Sequence, residues 1–563
     1  MQILELNIGN FRSLHNQKFK FDQSNVNIIV GENNTGKTSI LKALEYLFSP
    51  AKKTALKDKN VKYSDIIKIS IKFTPNSRER NKFSEHIGKE ISTKTIIIER
   101  KHKYDSNAKY YINHEEVRGF EFGAFAQFLS SKFLLINPLR DIELEDIEKE
   151  WDRKLSYRQL TRYMRERVII ESQKSFKRLN NYLKPKLIGI TDSLKEALRL
   201  PEGTVTFSFA PDIEEVLDNI KFFVDQNDGL ADLRAKGQGI RSQAAMIFRG
   251  AFSSTDNPQI IAIEEPELHL HPSMVRILIR NINKNAQTGK QFILTSHSQN
   301  AIDSLSPGQI RRVCMDDAET IIIQPNLNKN VIQKFYRYVL CGHSGVFYSK
   351  RCVIVEGESD RNFLRLISDR VVLKMGRRKI TGSLDEQNIS LISVDGQEFD
   401  KPIPFLKSYK IDWLILGDCD KWASGFYIKC IESIGLNNVH KKAYKELKTA
   451  YDNKKPLDKS IRMKLYKYFN IISFPEELEE AILMPSNLSI IKKIFRSELN
   501  DRYLNAMRNS SGLNNYEICK KLLRGTKSEW SIALGKKLKE DEISPILKNL
   551  IKLLVLHPKT GSL

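Results

Sequence analysis

The sequence predicts an α/β protein in which a P-loop domain with a helical insertion precedes a second, Rossmann-like domain and a set of C-terminal helices. Three patterns support this prediction. An apolar strand, a glycine-rich loop and a helix with apolar spacing follow one another over residues 26–48. A buried strand at 260–265 ends in two glutamates, and a new α/β unit begins at Arg351. Short apolar runs that alternate with helical patterns are typical of parallel sheets covered by helices.

Composition limits the number of domains and the class of partner. A chain of 563 residues is too long for one core and indicates roughly two to four domains. Its 91 Lys and Arg residues exceed its 68 Asp and Glu residues. The resulting net charge of +23 favours a polyanionic partner, although a generally lysine-rich proteome gives the same excess.

The cysteines and the apolar runs predict the compartment. Six cysteines without CxxC spacing argue against a zinc site or a disulfide framework and favour a reducing compartment. No apolar run reaches the roughly 18 residues of a membrane span. The sequence also starts directly as an alternating strand, without a leader. We therefore expect a cytoplasmic protein with no membrane partner.

Changes of pattern along the chain predict five segments. Residues 1–142 and 223–345 form the two parts of the P-loop domain. Between them, the charged helical insertion 143–222 is expected to serve dimerisation. The second domain spans 346–485 and includes a basic insertion, and the helical region 486–563 completes it.

The loop at residues 31–38 reads GENNTGKT, the P-loop pattern that binds the phosphates of ATP or GTP. Its glycines let backbone N–H groups turn toward the phosphates, and the dipole of the following helix adds positive charge. We expect Lys37 to reach the β- and γ-phosphates and Thr38 to ligate Mg²⁺. The predicted nucleotide-binding residues of this segment are Gly31, Asn33, Asn34, Thr35, Gly36, Lys37, Thr38 and Ser39.

A second buried strand ends in the acids that a P-loop requires. Four apolar residues precede Glu264 and Glu265. We expect Glu264 to hold Mg²⁺ beside the nucleotide and Glu265 to polarise the attacking water. A further buried strand ends at His297, which we expect to sense the γ-phosphate. A lone histidine at a strand end is more often structural, but here three elements occur in the order that the chemistry needs.

A second acidic cluster follows in the Rossmann-like domain. An apolar strand ends at Glu356, a turn at Gly357 follows, and a helix begins near Asp360. A later strand ends in Asp418 and Asp420. Because the carboxyl ends of parallel strands meet at one edge of a sheet, we expect these acids to bind Mg²⁺ or Mn²⁺. Surface acids at ordinary strand ends are the alternative interpretation.

Residues 1–325 resemble the ABC-type ATPases of the RecF and SMC class. The resemblance rests on the opening NFRS at 10–13 and on EEPELHLHP at 264–272. The segment KGQGIRSQ at 236–243 stands where the signature helix of that class begins, although it keeps only the glycines of the LSGG form. In this class the signature of one protomer completes the ATP site of another. The resemblance therefore implies ATP as the ligand, a role for Gly239 at the nucleotide, and a homo-oligomer.

The acid–glycine pattern at 353–360 and the DxD at 418–420 resemble the TOPRIM domain of topoisomerases, primases and a group of nucleases. An ABC-type P-loop ATPase followed by TOPRIM resembles, over essentially the whole chain, the OLD (overcoming lysogenization defect) family of ATP-dependent endonucleases. The resemblance implies that Glu356 and Lys527 act in catalysis. For Lys527, the alternative interpretation is an ordinary lysine exposed to solvent. The implied metal ligands are Glu356, Asp360, Asp418, Asp420, Glu477 and Glu480.

One of these assignments stays open, because the late acidic motif contains four glutamates within 476–480. We favour Glu477 and then Glu480 as the one that points inward. The family resemblance also implies cleavage of DNA by two Mg²⁺ ions, with Mn²⁺ or Ca²⁺ as alternatives, and a role in anti-phage defence. The basic residues 441–467 are expected to follow the DNA backbone.

The partners implied by the resemblance are DNA, a second copy of the chain, and a helicase or a reverse transcriptase with its nucleic acid. Two alternative functions remain at this point. One is a RecF-like DNA-repair ATPase whose TOPRIM domain binds DNA without cutting it. The other is a defence effector that depletes nucleotides.

Overall fold

A computed structural model describes residues 1–49, 66–87, 90–103, 108–117, 121–136, 223–226, 229–232, 259–268, 270–338, 342–375, 378–394, 398–434, 438–475, 477–508, 514–525 and 527–557. The chain divides into two compact units, Met1–Gln324 and Pro325–Leu563. The predicted helical insertion and the segment with Gly239 lie outside the described residues, so the division into five segments stays a prediction. No helix in the described ranges is long and apolar enough to cross a membrane.

The described part of the first unit contains two six-stranded sheets and one hairpin. Its strands are β1 (Gln2–Gly9), β2 (Gln17–Lys20), β3 (Val26–Val30), β4 (Ile66–Thr74), β5 (Ile96–Lys103), β6 (Lys109–Ile112), β7 (Glu115–Glu116), β8 (Phe133–Ile136), β9 (Phe223–Gln226), β10 (Gly229–Asp232), β11 (Ile260–Glu264), β12 (Gln291–Thr295), β13 (Ile310–Asp316) and β14 (Glu319–Ile323). An antiparallel sheet has the order β2-β1-β4-β5-β6-β7. A mostly parallel sheet has the order β14-β13-β3-β12-β11-β8.

The mostly parallel sheet brings the P-loop strand and the acidic strand to the same edge. Every residue of β3 is buried, and the strand lies between β13 and β12 in the sheet. In turn, β12 runs parallel to β11. Strands buried on both faces read as continuous apolar runs, which is why the sequence predicted both β3 and β11. Their carboxyl ends, Val30 and Glu264, therefore open on one edge of the sheet.

Helices cover the strands of the first unit. They are α1 (Lys37–Phe48), α2 (Ser77–Ile87), α3 (Glu121–Ser130), α4 (Pro272–Ala286) and α5 (Gln299–Ile302). The first of them buries Ile40, Leu44 and Leu47 at helical spacing in a core shared with both sheets. His271 caps α4 by accepting from the backbone N–H of Ser273, and Pro272 opens that helix.

The second unit is built on a parallel sheet with the order β18-β15-β19-β20 in its described residues. Its strands are β15 (Arg351–Val355), β16 (Val372–Met375), β17 (Arg378–Thr381), β18 (Ile389–Ser393), β19 (Asp412–Gly417) and β20 (Ile471–Ser473). Its helices are α6 (Lys329–Tyr338), α7 (Glu358–Ser368), α8 (Ile403–Ser408), α9 (Asp420–Ala423), α10 (Phe426–Ile434), α11 (Asn438–Asp452), α12 (Lys459–Phe469), α13 (Leu478–Ile482), α14 (Leu488–Glu498), α15 (Asn500–Arg508), α16 (Asn515–Gly525), α17 (Lys527–Lys537) and α18 (Pro545–Leu556).

The C-terminal helices share one hydrophobic core with this sheet. Val353 of β15 and Leu414 of β19 belong to the same buried cluster as Trp530 of α17 and Leu550 of α18. Trp530 contacts Phe363 of α7 edge to face, with 5.2 Å between ring centroids. The helices after β20 therefore stabilise the sheet that carries the acids.

A buried arginine joins the end of α18 to the start of β15. Arg351 donates to the carbonyl oxygens of Leu554 (2.9 Å) and His557 (2.6 Å). The His557 ring lies 3.1 Å from Asn470 Oδ1 and is buried. Burial and the nearby charge of Arg351 lower the pKa of His557 to about 4. Protonation of this ring therefore opposes the folded state.

We expect the second unit to lose stability in acid through His557. Because its folded pKa lies below the ordinary 6.5, its contribution is complete above pH 6.5 and is lost as the pH falls toward 4. This loss amounts to about 3 kcal/mol of unfolding free energy at most, at 1.36 kcal/mol per pKa unit. Urea unfolding of wild type and His557→Gln between pH 7 and 4.5 measures it. Parallel pH dependence in the two proteins would contradict the assignment.

Candidate functional site

Two glycines of the P-loop hold conformations that a side chain would prevent. Gly31 has φ +151°, and a Cβ there would lie 2.1 Å from the carbonyl oxygen of Val313. Gly36 has φ +94°, and a Cβ there would lie 2.3 Å from Thr320 Oγ1. The glycine pattern is thus required by close packing against β13 and β14 as well as by the turn itself.

Lys37 is buried at the start of α1 and folds back over the loop. Its Nζ donates to the carbonyl oxygens of Gly31 (3.0 Å) and Glu32 (2.6 Å). Burial lowers the pKa of Lys37 to about 8, although the charges of Glu265, Glu267 and Glu32 oppose the shift. The ammonium is therefore held inside the loop whose backbone is predicted to surround phosphate.

The two residues predicted to hold Mg²⁺ beside the nucleotide are in direct contact. The Thr38 hydroxyl donates to Glu264 Oε1, joining the first turn of α1 to the end of β11. Thr35 lies in the same loop and donates to Glu32 O at 2.9 Å. Asn34 adopts a left-handed conformation with φ +60°, and Ser39 is buried in α1. The remaining predicted loop residue, Asn33, is exposed.

Beyond Glu264, the chain turns sharply to present Glu265 to His297. Glu265 has φ +45°, and its backbone N–H donates to both the carbonyl oxygen and the hydroxyl of Thr295. Its Oε1 lies 3.3 Å from His297 Nε2. Burial and the adjacent Glu264 raise the pKa of Glu265, whereas burial and Lys37 lower the pKa of His297. A carboxylate with raised basicity beside a neutral imidazole suits the polarisation of a water molecule.

Glu267 holds the backbone that carries His297. Its carboxylate accepts from Ser296 Oγ at 2.9 Å and from the His297 backbone N–H at 2.5 Å. Burial raises the pKa of Glu267. The third acid of the EEPE run thus acts on the histidine loop, a positioning contact that the sequence did not predict.

The sequence also did not predict the role of Thr320, a residue of β14 that supports the P-loop. Its hydroxyl donates to the carbonyl oxygen of Thr35 at 2.9 Å and lies 2.6 Å from Ser13 Oγ. The Thr320 backbone N–H donates to Ser13 O at 2.8 Å. Ser13 belongs to the NFRS run, so this run contacts the loop through Thr320. Thr320 reaches the loop because of the order of strands in the sheet. No local sequence pattern indicates this contact.

Replacing Thr320 by Val should weaken nucleotide binding by about fivefold. The change preserves shape but removes a buried hydrogen bond to the loop, whose net value is about 1 kcal/mol. Equilibrium binding of a fluorescent ATP analogue to the variant measures the effect. Thr288→Val, an exposed threonine of the same unit, is the matched control. Equal affinities for the two variants would show that the Thr320 hydroxyl does not order the loop.

The acids of the second unit come from the carboxyl ends of three neighbouring parallel strands. Glu356 follows β15, Asp418 follows β19, and Glu479 lies in α13 after β20. Asp418 is largely buried, and its pKa is raised to about 8 by burial and by the charges of Asp360, Glu479 and Glu356. Its Oδ1 accepts from the Leu478 backbone N–H at 3.0 Å. Asp418 is therefore the centre of the acidic set.

Asp360 lies in the first turn of α7, where its Oδ2 accepts from the Gly357 backbone N–H at 3.1 Å. This contact fixes the turn between β15 and α7. The adjacent Glu358 points elsewhere, since it accepts from Ser393 Oγ and pairs with Arg361 at 3.1 Å. The pattern EGxxD therefore brings its first and last acids, and not Glu358, to the set.

The structure places the glutamates of residues 477–480 differently from the preference that we drew from the sequence. Glu477 pairs with Arg524, and Glu480 pairs with Lys520. Glu479 instead is buried at 5% exposure, and its charge acts on Asp418. The structure thus turns the favoured Glu477 and Glu480 toward basic side chains and Glu479 toward the acidic set. Glu476 lies outside the described residues.

Asp420 is the first residue of α9, and its side chain is 59% exposed. The neighbouring Lys421 is buried and bridges two acids: its Nζ lies 3.1 Å from Glu356 Oε2 and 3.2 Å from Asp420 Oδ2. These ion pairs raise the pKa of Lys421 despite its burial. Sequence reasoning passed over this lysine, because a lysine after DxD resembles any other in so basic a chain.

Lys527 begins α17, and its side chain is outside the described residues. The helix packs in parallel with α7: Phe363 meets Trp530, and Arg370 donates to the carbonyl oxygen of Gly535 at 3.0 Å. Because the two helices run side by side in the same direction, the start of α17 lies at the end of α7 that carries Asp360.

The donor set fits a hard divalent ion by its chemistry, since Glu356, Asp360 and Asp418 line one small pocket at the carboxyl edge of a parallel sheet and burial together with the neighbouring acids raises the pKa of Asp418. Within the described residues, however, no three His, Cys, Asp or Glu side chains are close enough to hold a metal ion as they stand. In this arrangement Glu356 pairs with Lys421, and Asp360 accepts from the Gly357 backbone N–H.

Two protein families match the chain in the predicted order. Residues 1–118 and 51–302 match the family described as AAA ATPase domain. Residues 347–420 match the family described as overcoming lysogenization defect protein-like, TOPRIM domain. The matches confirm the predicted pairing of an N-terminal ATPase with a TOPRIM nuclease domain.

Three curated proteins are similar to this chain, and two of them are named as nucleases. Old nuclease of Escherichia phage P2 is 25% identical over 244 residues, which are 39% of this chain and 40% of that protein. Endonuclease GajA of Bacillus cereus (strain HuB5-5) is 21% identical over 92% of this chain and 88% of that protein. Septu protein PtuA of Bacillus thuringiensis is 22% identical over 58% of this chain and 79% of that protein. The match thus spans less than half of the first relative and most of the second.

Proposed function

Because the chain belongs to the OLD family of ATPases fused to a TOPRIM nuclease domain, we propose that it is an ATP-hydrolysing, metal-dependent DNA endonuclease. The observation that carries the proposal is the small pocket at the sheet edge that Glu356, Asp360 and Asp418 line together. Acids that repel one another at the edge of a parallel sheet are stabilised when a divalent cation binds them.

In the proposed reaction, Mg²⁺ or Mn²⁺ at these carboxylates would supply an activated water and stabilise the leaving oxygen, and Ca²⁺ would bind the same oxygens. The residues of the chain then have separate roles. Asp418 and Glu479, which follow the adjacent strands β19 and β20, would hold the ion. Glu356 and Asp360, which follow β15, would be its further ligands, and the Gly357 backbone N–H orients Asp360.

Lys527 is proposed to neutralise charge that develops on the cleaved phosphate. Its helix begins at the end of α7 that carries Asp360, as the contact between Phe363 and Trp530 indicates. A lysine at the first position of a helix that begins beside the acids suits this role.

ATP with Mg²⁺ is proposed as the ligand of the first unit, where Thr38 meets Glu264 and Glu265 meets His297. ATP binding would assemble a homo-oligomer, in which a second copy supplies the segment with Gly239. This assembly would control access of DNA to the nuclease. A helicase or a reverse transcriptase is proposed as a further partner, in keeping with the family.

DNA is the proposed substrate, and the basic helices α11 and α12 are its proposed backbone contact. They expose Lys441, Lys442 and Lys445 on one helix and Lys459 and Lys467 on the next. Cations spaced along exposed helices bind phosphate without reading bases. The resemblance to Old nuclease, GajA and PtuA supports a role in anti-phage defence.

The decisive experiment is cleavage of supercoiled plasmid by the purified protein with Mg²⁺ or Mn²⁺, with and without ATP. Nicked or linear product that requires the metal supports the proposal. If DNA stays intact with each ion, in the presence of ATP, while the protein still binds it, the second unit is a DNA-binding domain and the nuclease proposal fails. Parallel assay of free ATP and other nucleotides distinguishes DNA cleavage from nucleotide depletion.

A further inference from the structure

A second pocket, mostly apolar, lies beside the acids of the second unit. Its volume of about 500 Å³ is within the range of about 300–1,000 Å³ that is usual for pockets that enclose small organic groups. Its wall is formed by α12, by the end of β20 and by α18. The pocket opens to the surface, since Met463 in its wall is 55% exposed and Ile546 is 45% exposed. Its apolar and aromatic side chains include Met463, Tyr466, Phe474, Pro475, Ile546 and Leu553.

The chain topology places this apolar pocket at the edge of the sheet that carries the acids. Asn470, with φ +55°, turns the chain from α12 directly into β20, and the helix packs against that strand. The first turn of α12 therefore lies near the carboxyl end of β20, and its Lys459 and Arg462 line the same pocket as Phe474. Phe474 also lines the small pocket that holds the acids. The apolar pocket and the acidic pocket thus share one side chain.

Two cations stand in the wall of the apolar pocket. Lys459 is exposed and Arg462 is half-buried. Lys464 of the same helix pairs with Glu446 at 2.7 Å, but neither Lys459 nor Arg462 has such a partner among the acids that the structure describes. Both cations are therefore available to an anion, and phosphate is the anion that DNA presents along its backbone.

A single nucleobase with its flanking phosphates matches the whole wall of the apolar pocket. The flat face of a base stacks on aromatic side chains, and Tyr466 is held for this role by edge-to-face packing with His557, 4.9 Å between ring centroids. Asn549 of α18 adds an amide, which can exchange hydrogen bonds with the edge of a base. An amphipathic helix of a partner protein is the alternative occupant, but only DNA must also reach the adjacent acids for the proposed reaction.

We propose that the apolar pocket binds one unpaired base of the DNA beside the cleaved phosphate, with Tyr466 as the stacking surface and with Lys459 and Arg462 on the flanking phosphates. The inference rests on the proposed function and specifies the form of DNA that the second unit prefers. A base inside an intact duplex has to leave its stack and its pair before it can enter a pocket, and this cost is smallest for a base that is already unpaired. DNA with an unpaired base should therefore bind more tightly than fully paired DNA.

The test measures binding of three short fluorescent duplexes to the full-length protein without divalent metal, so that no strand is cut. The first duplex is fully paired, the second carries one extra adenine as a bulge, and the third has an abasic site in place of that adenine. Tyr466→Leu removes the aromatic face and keeps an apolar side chain, and Arg462→Gln removes one cation. Tyr468→Leu, a half-buried tyrosine of the same helix that does not line the pocket, is the matched control. Thermal unfolding of each variant shows whether it folds.

Wild type and Tyr468→Leu should bind the bulged adenine about tenfold more tightly than the abasic or the paired duplex, which is the effect of one base stacked on an aromatic side chain. Tyr466→Leu should lose this preference. Arg462→Gln should weaken binding of all three duplexes by the same factor, because a phosphate contact does not depend on the base. Equal wild-type affinities for the bulged and abasic duplexes, or a preference that a folded Tyr466→Leu protein keeps, would overturn the inference. If Tyr466→Leu does not fold, the wild-type affinities decide alone.

Failure of this inference can be told apart from failure of the proposed function, because the binding is measured without metal. Equal affinities for the three duplexes, together with metal-dependent cleavage of plasmid, reject the base pocket and leave the nuclease in place. The alternative occupant, a partner helix, gives this same equality. A preference for the bulged adenine without cleavage of any plasmid rejects the nuclease and leaves the pocket as a DNA-binding site.

Discussion

Replacing Glu356 by Gln should reduce plasmid cleavage by about 10²–10³-fold, the usual effect of removing one preorganised electrostatic contact from a reaction centre. The amide keeps the shape of the side chain but loses the charge that pairs with Lys421 at 3.1 Å and acts on Asp418. Cleavage rates at saturating Mn²⁺ measure the change. ATP hydrolysis should stay unchanged, since Glu356 belongs to the second unit.

The neighbouring Glu358 offers a matched control for this variant. Glu358 precedes Asp360 in the same turn, but its carboxylate contacts Ser393 and Arg361 and lies outside the acidic set. Glu358→Gln should therefore cleave at close to the wild-type rate. Equal activity of Glu356→Gln and wild type would remove the carboxylate set from the mechanism, whereas equal loss in both variants would point to damage of the turn.

Replacing Lys37 by Ala should lower ATP hydrolysis by at least about 10²-fold, because the buried ammonium is held inside the loop that is predicted to surround the β- and γ-phosphates. Phosphate release at saturating ATP measures the effect. Lys284→Ala, an exposed lysine of α4, is the control. The ATP hydrolysis rate of Lys284→Ala should equal that of wild type. An equal fall in the rates of Lys37→Ala and Lys284→Ala would mean that the effect comes from the loss of any positive charge and not from the position of Lys37.

Nucleotide affinity should also depend on pH through Lys37. Its pKa of about 8 means that the ammonium form, which attracts phosphate, is lost from the nucleotide-free protein as the pH rises through 8. Bound phosphate raises that pKa, so affinity should fall by up to about tenfold per pH unit above 8. ATP binding between pH 7 and 9 measures the slope. Lys37→Ala should lack it, and a wild-type affinity independent of pH would contradict the buried-lysine geometry.

The main elements of both sheets were predictable because their signal is local. The run VNIIV at 26–30 is buried along its whole length, and IIAIE at 260–264 ends in its acid. A strand covered on both faces is almost continuously apolar, here with Asn27 as the exception, so its limits can be read from the sequence. The strand order was not predictable in this way, and it is what brings Thr320 of β14 to the P-loop.

The late acidic motif shows what local reasoning leaves open. Helix α13 spans only Leu478–Ile482, and each residue advances the direction of the side chain by about 100°. A one-residue change in where so short a helix begins exchanges Glu479 for Glu480. The helix start is set by the Leu478 backbone N–H, which donates to Asp418, a contact between residues 60 positions apart.

The sequence by itself determined which chemical groups are present and which strands deliver them: the glycine loop with Lys37, the strand end at Glu264, and the acids after β15 and β19. These groups can be recognised from short stretches of sequence. A buried strand is an apolar run, a left-handed turn needs glycine, and the acids stand directly after the strands. Only the tertiary structure decided that Glu479 faces Asp418 and that Lys421 reaches Glu356. Such choices depend on distances between side chains far apart in the chain, which packing of the whole unit fixes and no local pattern records.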